Sequence, residues 1–181
     1  MSRRTNRSLA KMLYSAMFLS LALLLPFLTS QIPEIGSKLL PMHLPVILCG
    51  FVCGPFWGAT VGASAPILRS LIFTRPEMFP SAVTMAVELA TYAFVAGLLY
   101  KKLGKNIFMT YLALITAMIC GRLMWGGVMF VLIFLGMAKG EIGFSLIWAH
   151  TVLQGIPGIT LQLVAIPIIV NVLKKNRLML N

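Results

Sequence analysis

Glu88, Arg69 and Arg122 each lie inside an apolar run of this 181-residue chain. Glu88 interrupts SAVTMAVELATYAFVAGLLY, Ser81 to Tyr100, which as a helix is long enough to cross a bilayer, a distance of roughly 20 residues. A charge in a spanning helix costs about 2.5–3.5 kcal/mol or more near the bilayer centre, so it turns toward a partner or a water-filled cavity. One carboxylate cannot neutralise two guanidinium groups. The three are therefore expected to meet and leave one positive charge for an anionic ligand. Glu88 is expected to hold one arginine in place, and Arg122 is the first candidate to meet the ligand, with Arg69 the alternative. His43, His150 and Gln154 are further polar residues in apolar runs. Tyr92 and Trp125 stand one helical turn from Glu88 and Arg122 and could line the same cavity.

These residues require spans to carry them. Leu9 to Leu28 reads as the first, too long for a signal-peptide core. Thr29 to Met42 is a loop of mixed polarity with Pro33, Gly36 and Pro41. His43 to Gly54 is apolar but too short to cross unless it tilts or is shielded by protein. After the Gly54-Pro55 turn, Trp57 to Phe73 is a third span rich in small residues. Thr74 to Pro80 is a loop, and Ser81 to Tyr100 the fourth span, ending in the basic turn Lys101 to Lys105. Asn106 to Met137 is the fifth, Ala138 to Gly143 a loop, and Phe144 to Leu173 the last, with a kink expected at Gly155 to Gly158. The reading is an all-α integral membrane protein of six transmembrane helices, a single domain over residues 1–181.

Composition agrees. The chain is 59% hydrophobic and 10% charged, with a mean hydropathy of +0.94, more apolar surface than a soluble domain of this size can hide. The net charge of +11 does not point to nucleic acid, because the basic residues cluster between apolar runs. With both termini inside, Arg3, Arg4, Arg7, Lys11, Lys101, Lys102, Lys105, Lys174, Lys175 and Arg177 are cytoplasmic, ten against Lys38, Arg75 and Lys139 outside. That asymmetry sets an N-in, C-in orientation.

Orientation gives depth. At a rise of about 1.5 Å per residue, Arg69, Glu88 and His150 lie roughly 6, 10 and 9 Å below the outer face, and Arg122 roughly 24 Å above the inner one. Gln154 follows His150 by one turn, and His43 opens its segment at the outer edge. One band in the outer half thus collects polar residues from five spans.

Other chemistries find less support. The chain has no GxxxxGK[ST] phosphate loop, no HExxH and no acidic metal cluster, so energy for uphill transport would come from a partner. Cys49, Cys53 and Cys120 read as small buried hydrophobes, and no metal site is expected. Gly62-Ala63-Ser64-Ala65 with His150 is a weak match to the GxSG serine and histidine of intramembrane rhomboid proteases, since Ala65 replaces the last glycine. A stand-alone secondary transporter would be built from paired discontinuous helices in two related halves, and no such halves are visible. Ala16 and Ser20, small residues four apart in the first span, would let a partner helix approach closely.

Together these features resemble the substrate-binding subunit, the S-component, of energy-coupling factor vitamin transporters. PMHLPVILCGFVCGPFWGATVGASAPILRSLIF (Pro41 to Phe73) and MFPSAVTMAVELATYAFVAGLLY (Met78 to Tyr100) are similar to the branch that includes pantothenate-type subunits. The resemblance covers essentially the whole chain. It implies a vitamin bound near the outer face by the first loop and spans four to six, with pantothenate favoured. Pyridoxine, a thiamine precursor, folate and riboflavin are the alternatives. It also implies a bacterial plasma-membrane location, one coupling transmembrane subunit and two cytoplasmic ATPase subunits that use the ATP, with no cofactor in this chain. The family's coupling contact, typically two alanines, falls on Ala16 and Ser20.

Overall fold

The computed structural model describes residues 2–30, 40–103, 106–138 and 144–181, with side chains for 6–27, 40–103, 106–138 and 155–181. Six α-helices appear among them: α1 Ser2–Ser30, α2 His43–Cys53, α3 Pro55–Phe73, α4 Val83–Leu103, α5 Ile107–Phe134 and α6 Phe144–Lys175. A π-helical turn, Met78–Ala82, leads into α4. The expected apolar runs therefore carry the helices, with shifted ends. Helical structure reaches back to Met78 in the segment read as a loop, broken only by the extended backbone of Phe79 before Pro80 (φ −132°, ψ 132°). Residues 31–39, most of the expected first loop, lie outside the described residues.

Five stretches are long and apolar enough to cross a membrane: Asn6–Phe27, Pro55–Phe73, Met78–Leu103, Ile107–Phe134 and Gly155–Lys175. The sixth helix, α2, is too short at 11 residues. It is instead enclosed, touching α1, α3, α4 and α6, and every residue except Leu44 is buried. A short apolar helix is stable at that depth because protein, not lipid, surrounds its ends. Gly50 permits the closest approach, since a Cβ there would collide with the Ala93 carbonyl of α4. Pro55 starts α3 after Gly54, whose φ of +102° favours glycine.

The far end of α2 is closed by the chain's last residues. Leu180 N–H donates to Val52 O at 2.9 Å, giving one of the last carbonyls of α2 a donor that the helix itself lacks. Asn181 Nδ2 donates to Gly97 O of α4 at 2.9 Å, and Arg7 Nη2 of α1 donates to Leu180 O at 3.1 Å. Both termini thus meet at one end of the bundle. His43, at the opposite end of α2, points toward α4.

Candidate functional site

Glu88 sits on the buried face of α4 with Thr84, Leu89 and Tyr92, and only 2% of it is exposed. Its Oε1 accepts a hydrogen bond from the Tyr92 hydroxyl at 2.8 Å, one turn along the same helix. The same oxygen lies 2.9 Å from Arg122 Nη1 of α5, a charge-assisted contact. His43 Nε2 stands 4.0 Å away, and the imidazole tilts against the Tyr92 ring at 5.6 Å between centroids. Three helices thus converge on one carboxylate.

Two glycines make the convergence possible. A Cβ on Gly121 would collide with the Tyr92 ring, so its absence lets the phenol reach across to Glu88. A Cβ on Gly155 of α6 would stand 3.0 Å from Arg122 Nη2, so α6 leaves room for the guanidinium. The sequence marks Gly155 only as the start of an expected kink and does not mark Gly121; each sits beside an intramembrane polar residue, one before Arg122 and one after Gln154.

Several polar atoms here lack partners. Arg122 Nε and both ring nitrogens of His43 are buried without a hydrogen bond among the described residues; the Tyr100 hydroxyl and Gln162 Nε2 share that state without a contact that ties them to Glu88. Buried polar groups are nearly always satisfied, so the Arg122 and His43 atoms beside Glu88 mark this as the candidate site. Gln162 is a further polar residue that sequence reasoning passed over. Its signal was the spacing of eight, two helical turns, from Gln154.

The expected three-way cluster is corrected to a pair. Arg69 does not reach Glu88: its Nη1 donates to Leu23 O of α1 at 3.1 Å, and its guanidinium lies over the Phe27 and Phe73 rings at 5.3 and 5.9 Å. A carbonyl and two aromatic faces satisfy it where α1 meets α3. The charges at Glu88 therefore balance one to one, and the case for an anion can no longer rest on a surplus arginine. Trp125 also stands apart, in a cleft of about 230 Å³ with Pro80, Ser81, Thr84, Met85 and Met129. The side chains of His150 and Gln154 lie outside the described residues.

The remaining sequence-marked groups are simply placed. Ser64 Oγ donates to Thr60 O at 2.8 Å and Val61 O at 3.2 Å, so its hydroxyl is spent on its own helix. Cys49 Sγ lies 3.6 Å from Ser15 Oγ, and the three cysteines are unbridged. Ala16 and Ser20 are exposed on α1.

An all-helical chain with several membrane-length helices and a sealed charge pair defines a multi-pass membrane protein with an internal polar site. The chain belongs to the family of ECF transporter substrate-specific components, whose model matches residues 10–170. The S-component family that the sequence resembles is thus the family found. Its members are the substrate-binding components of ECF importers. No curated protein and no solved structure matches the chain.

Proposed function

We propose that this chain captures a small carboxylate-bearing vitamin, pantothenate first, for an energy-coupling factor importer. It lies in the bacterial plasma membrane with both termini cytoplasmic and binds its ligand from the outer face. It delivers the ligand with one coupling membrane subunit and two cytoplasmic ATPase subunits. One observation carries the carboxylate. Arg122 spends Nη1 on Glu88, while its buried Nε has no partner among the described residues. The Nε and Nη2 donors form one flat edge that matches both oxygens of a carboxylate. His43 offers a second unsatisfied group beside it, and Glu88 with Tyr92 fixes the guanidinium.

The docking face for the coupling subunit is assigned to Ala16 and Ser20. Ser20 Oγ donates to Ala16 O at 3.0 Å, which turns the hydroxyl onto its own helix and leaves a shallow exposed surface. Such surfaces let helix backbones approach closely in lipid.

Mass spectrometry of the small molecule that copurifies with the chain tests the ligand, and pantothenate or another carboxylate vitamin is expected. Uptake into proteoliposomes tests the mechanism. Transport is expected only with the coupling module and ATP present, and uptake by this chain alone would make it a secondary transporter. Ala16→Trp and Ser20→Trp are expected to lose the complex while keeping ligand affinity.

A further inference from the structure

The Glu88–Arg122 pair is balanced before any ligand arrives, and that balance leaves no counter-charge for an anion. Glu88 Oε1 lies 2.9 Å from Arg122 Nη1 and accepts the Tyr92 hydroxyl at 2.8 Å. Tyr92 brings no charge, and Arg69 is engaged with Leu23 O and two aromatic rings where α1 meets α3. A carboxylate ligand therefore sets two negative charges against one positive charge among the described residues. Glu88 is 2% exposed, so water screens little of the excess. A charge left uncompensated at such depth is neutralised by proton transfer instead of being tolerated.

His43 is placed to take that proton. It opens α2 with its backbone N–H on Leu40 O at 3.0 Å, and its side chain is buried. Nε2 stands 4.0 Å from Glu88 Oε1, too far for a hydrogen bond, and neither ring nitrogen has one among the described residues. An imidazole is also the side chain that changes charge near neutral pH. In the empty site a second cation would stand beside Arg122 and at the positive end of α2, with one carboxylate to share, so the ring is neutral there. The neighbours of α2 offer no rival among the described side chains. Helix α4 faces His43 with Glu88 and Tyr92, α5 reaches in with Arg122, α1 and α3 carry only Arg69 at this end, and α6 has no titratable group before Lys174.

We infer that His43 takes up one proton when an anionic ligand binds, so that Glu88 and the ligand carboxylate are matched by Arg122 and an imidazolium. This rests on the proposed anionic ligand and specifies how the site accepts its charge. The proton comes from solution and returns there when the ligand leaves. A movement of the ring by roughly 1 Å brings Nε2 into charge-assisted bonding range of Glu88. Capture then depends on pH with a fixed sign. The complex holds one more proton than the free protein, so affinity falls as pH rises, by up to about tenfold per pH unit above roughly pH 6.5.

The test is calorimetry on the full chain in lipid nanodiscs, with pantothenate titrated in two buffers of different ionisation enthalpy. The difference in heat counts the protons exchanged. Close to one proton per pantothenate is expected at about pH 7.5, with a Kd that rises between about pH 6.5 and 8. Pantothenol, which carries an alcohol in place of the carboxylate, is expected to bind more weakly and with no uptake. Glu88→Gln is expected to abolish the uptake, because Arg122 alone then balances the ligand. His43→Gln is expected to lose the pH slope along with the uptake, whereas a packing role alone would shift Kd equally at every pH. Should His43→Gln not fold, nitrogen NMR of histidine-labelled protein reads the ring directly, with His150→Gln to separate the two histidines. Both ring nitrogens of His43 must then carry protons once pantothenate is bound. Pantothenate that binds without proton uptake overturns the inference and leaves the anionic reading standing. Uptake that persists in His43→Gln or Glu88→Gln, or a ring that stays neutral in the complex, overturns it as well. A chain that binds pantothenol as tightly as pantothenate, or binds neither, overturns both.

Discussion

Arg122 Nη1 lies 2.9 Å from Glu88 Oε1, and the carboxylate oxygen that receives it also takes the Tyr92 hydroxyl. Two opposite charges from adjacent helices thus neutralise each other deep in the bundle, at the cost of desolvating both. A pair of this kind is weak evidence for stability in its own right. Its value here is positional, because it fixes one nitrogen of the guanidinium while Nε stays without a hydrogen bond among the described residues.

Truncating Arg122 should therefore cost binding. Arg122→Ala is expected to weaken ligand affinity by about 2–5 kcal/mol, the range for removing one side of a buried charge pair. Arg122→Lys recovers only part, because an ammonium cannot hold Glu88 and a carboxylate in the same plane. Calorimetry on the purified chain reads both. Unchanged affinity in the two variants assigns Arg122 to structure alone.

How much of this was legible follows from what a sequence encodes. Apolar runs mark helices because the bilayer demands about 20 residues of them, and the short run at His43–Cys53 was recognisable as needing shelter. That Glu88 would pair with an arginine was legible because a lone charge at that depth must find a partner; that the arginine is Arg122 was not. Arg69 was misplaced because residue counting gives depth along a helix and nothing about direction around it. Its partners are a backbone carbonyl and two aromatic faces, and no spacing rule announces those. Gly121 was invisible for a related reason. Its importance comes from Tyr92, 29 positions away in sequence and brought against it by packing.

Gly121→Ala tests that packing. The added methyl would collide with the Tyr92 ring, and overpacking of this kind costs about 1–3 kcal/mol. Thermal unfolding in the apo state should show the loss. The penalty should shrink in a Tyr92→Ala background, where the ring is gone. Equal penalties in both backgrounds would remove Tyr92 from the explanation.

Arg69 supplies the contrasting case. Among the described residues it makes no ion pair or hydrogen bond with Glu88 or Arg122, and its hydrogen bond runs to α1. Arg69→Gln combined with Arg122→Lys should therefore give affinity changes that add within about 0.5 kcal/mol, as independent sites do. A larger coupling energy in that double-mutant cycle would return Arg69 to the ligand site.

Glu88→Gln separates the possible charges of the ligand. The substitution keeps the shape of the side chain and some of its hydrogen bonding but removes the negative charge. Arg122 is then left unpaired in the empty protein, and breaking a buried pair in this way costs about 3–5 kcal/mol. The melting temperature of the apo variant should fall accordingly. An anionic ligand restores a counter-charge to Arg122, so the rise in melting temperature on ligand binding should be larger in Glu88→Gln than in the wild type. It is also relieved of repulsion from a second carboxylate in the same small site. A cationic or neutral ligand that bonds directly to Glu88 gives the opposite result, because the variant removes its contact. Thermal shifts of the two proteins with and without pantothenate, or with the copurifying molecule, read the difference. A shift that disappears in Glu88→Gln would make the carboxylate the ligand's own partner, and the preference for an anionic vitamin would go with it.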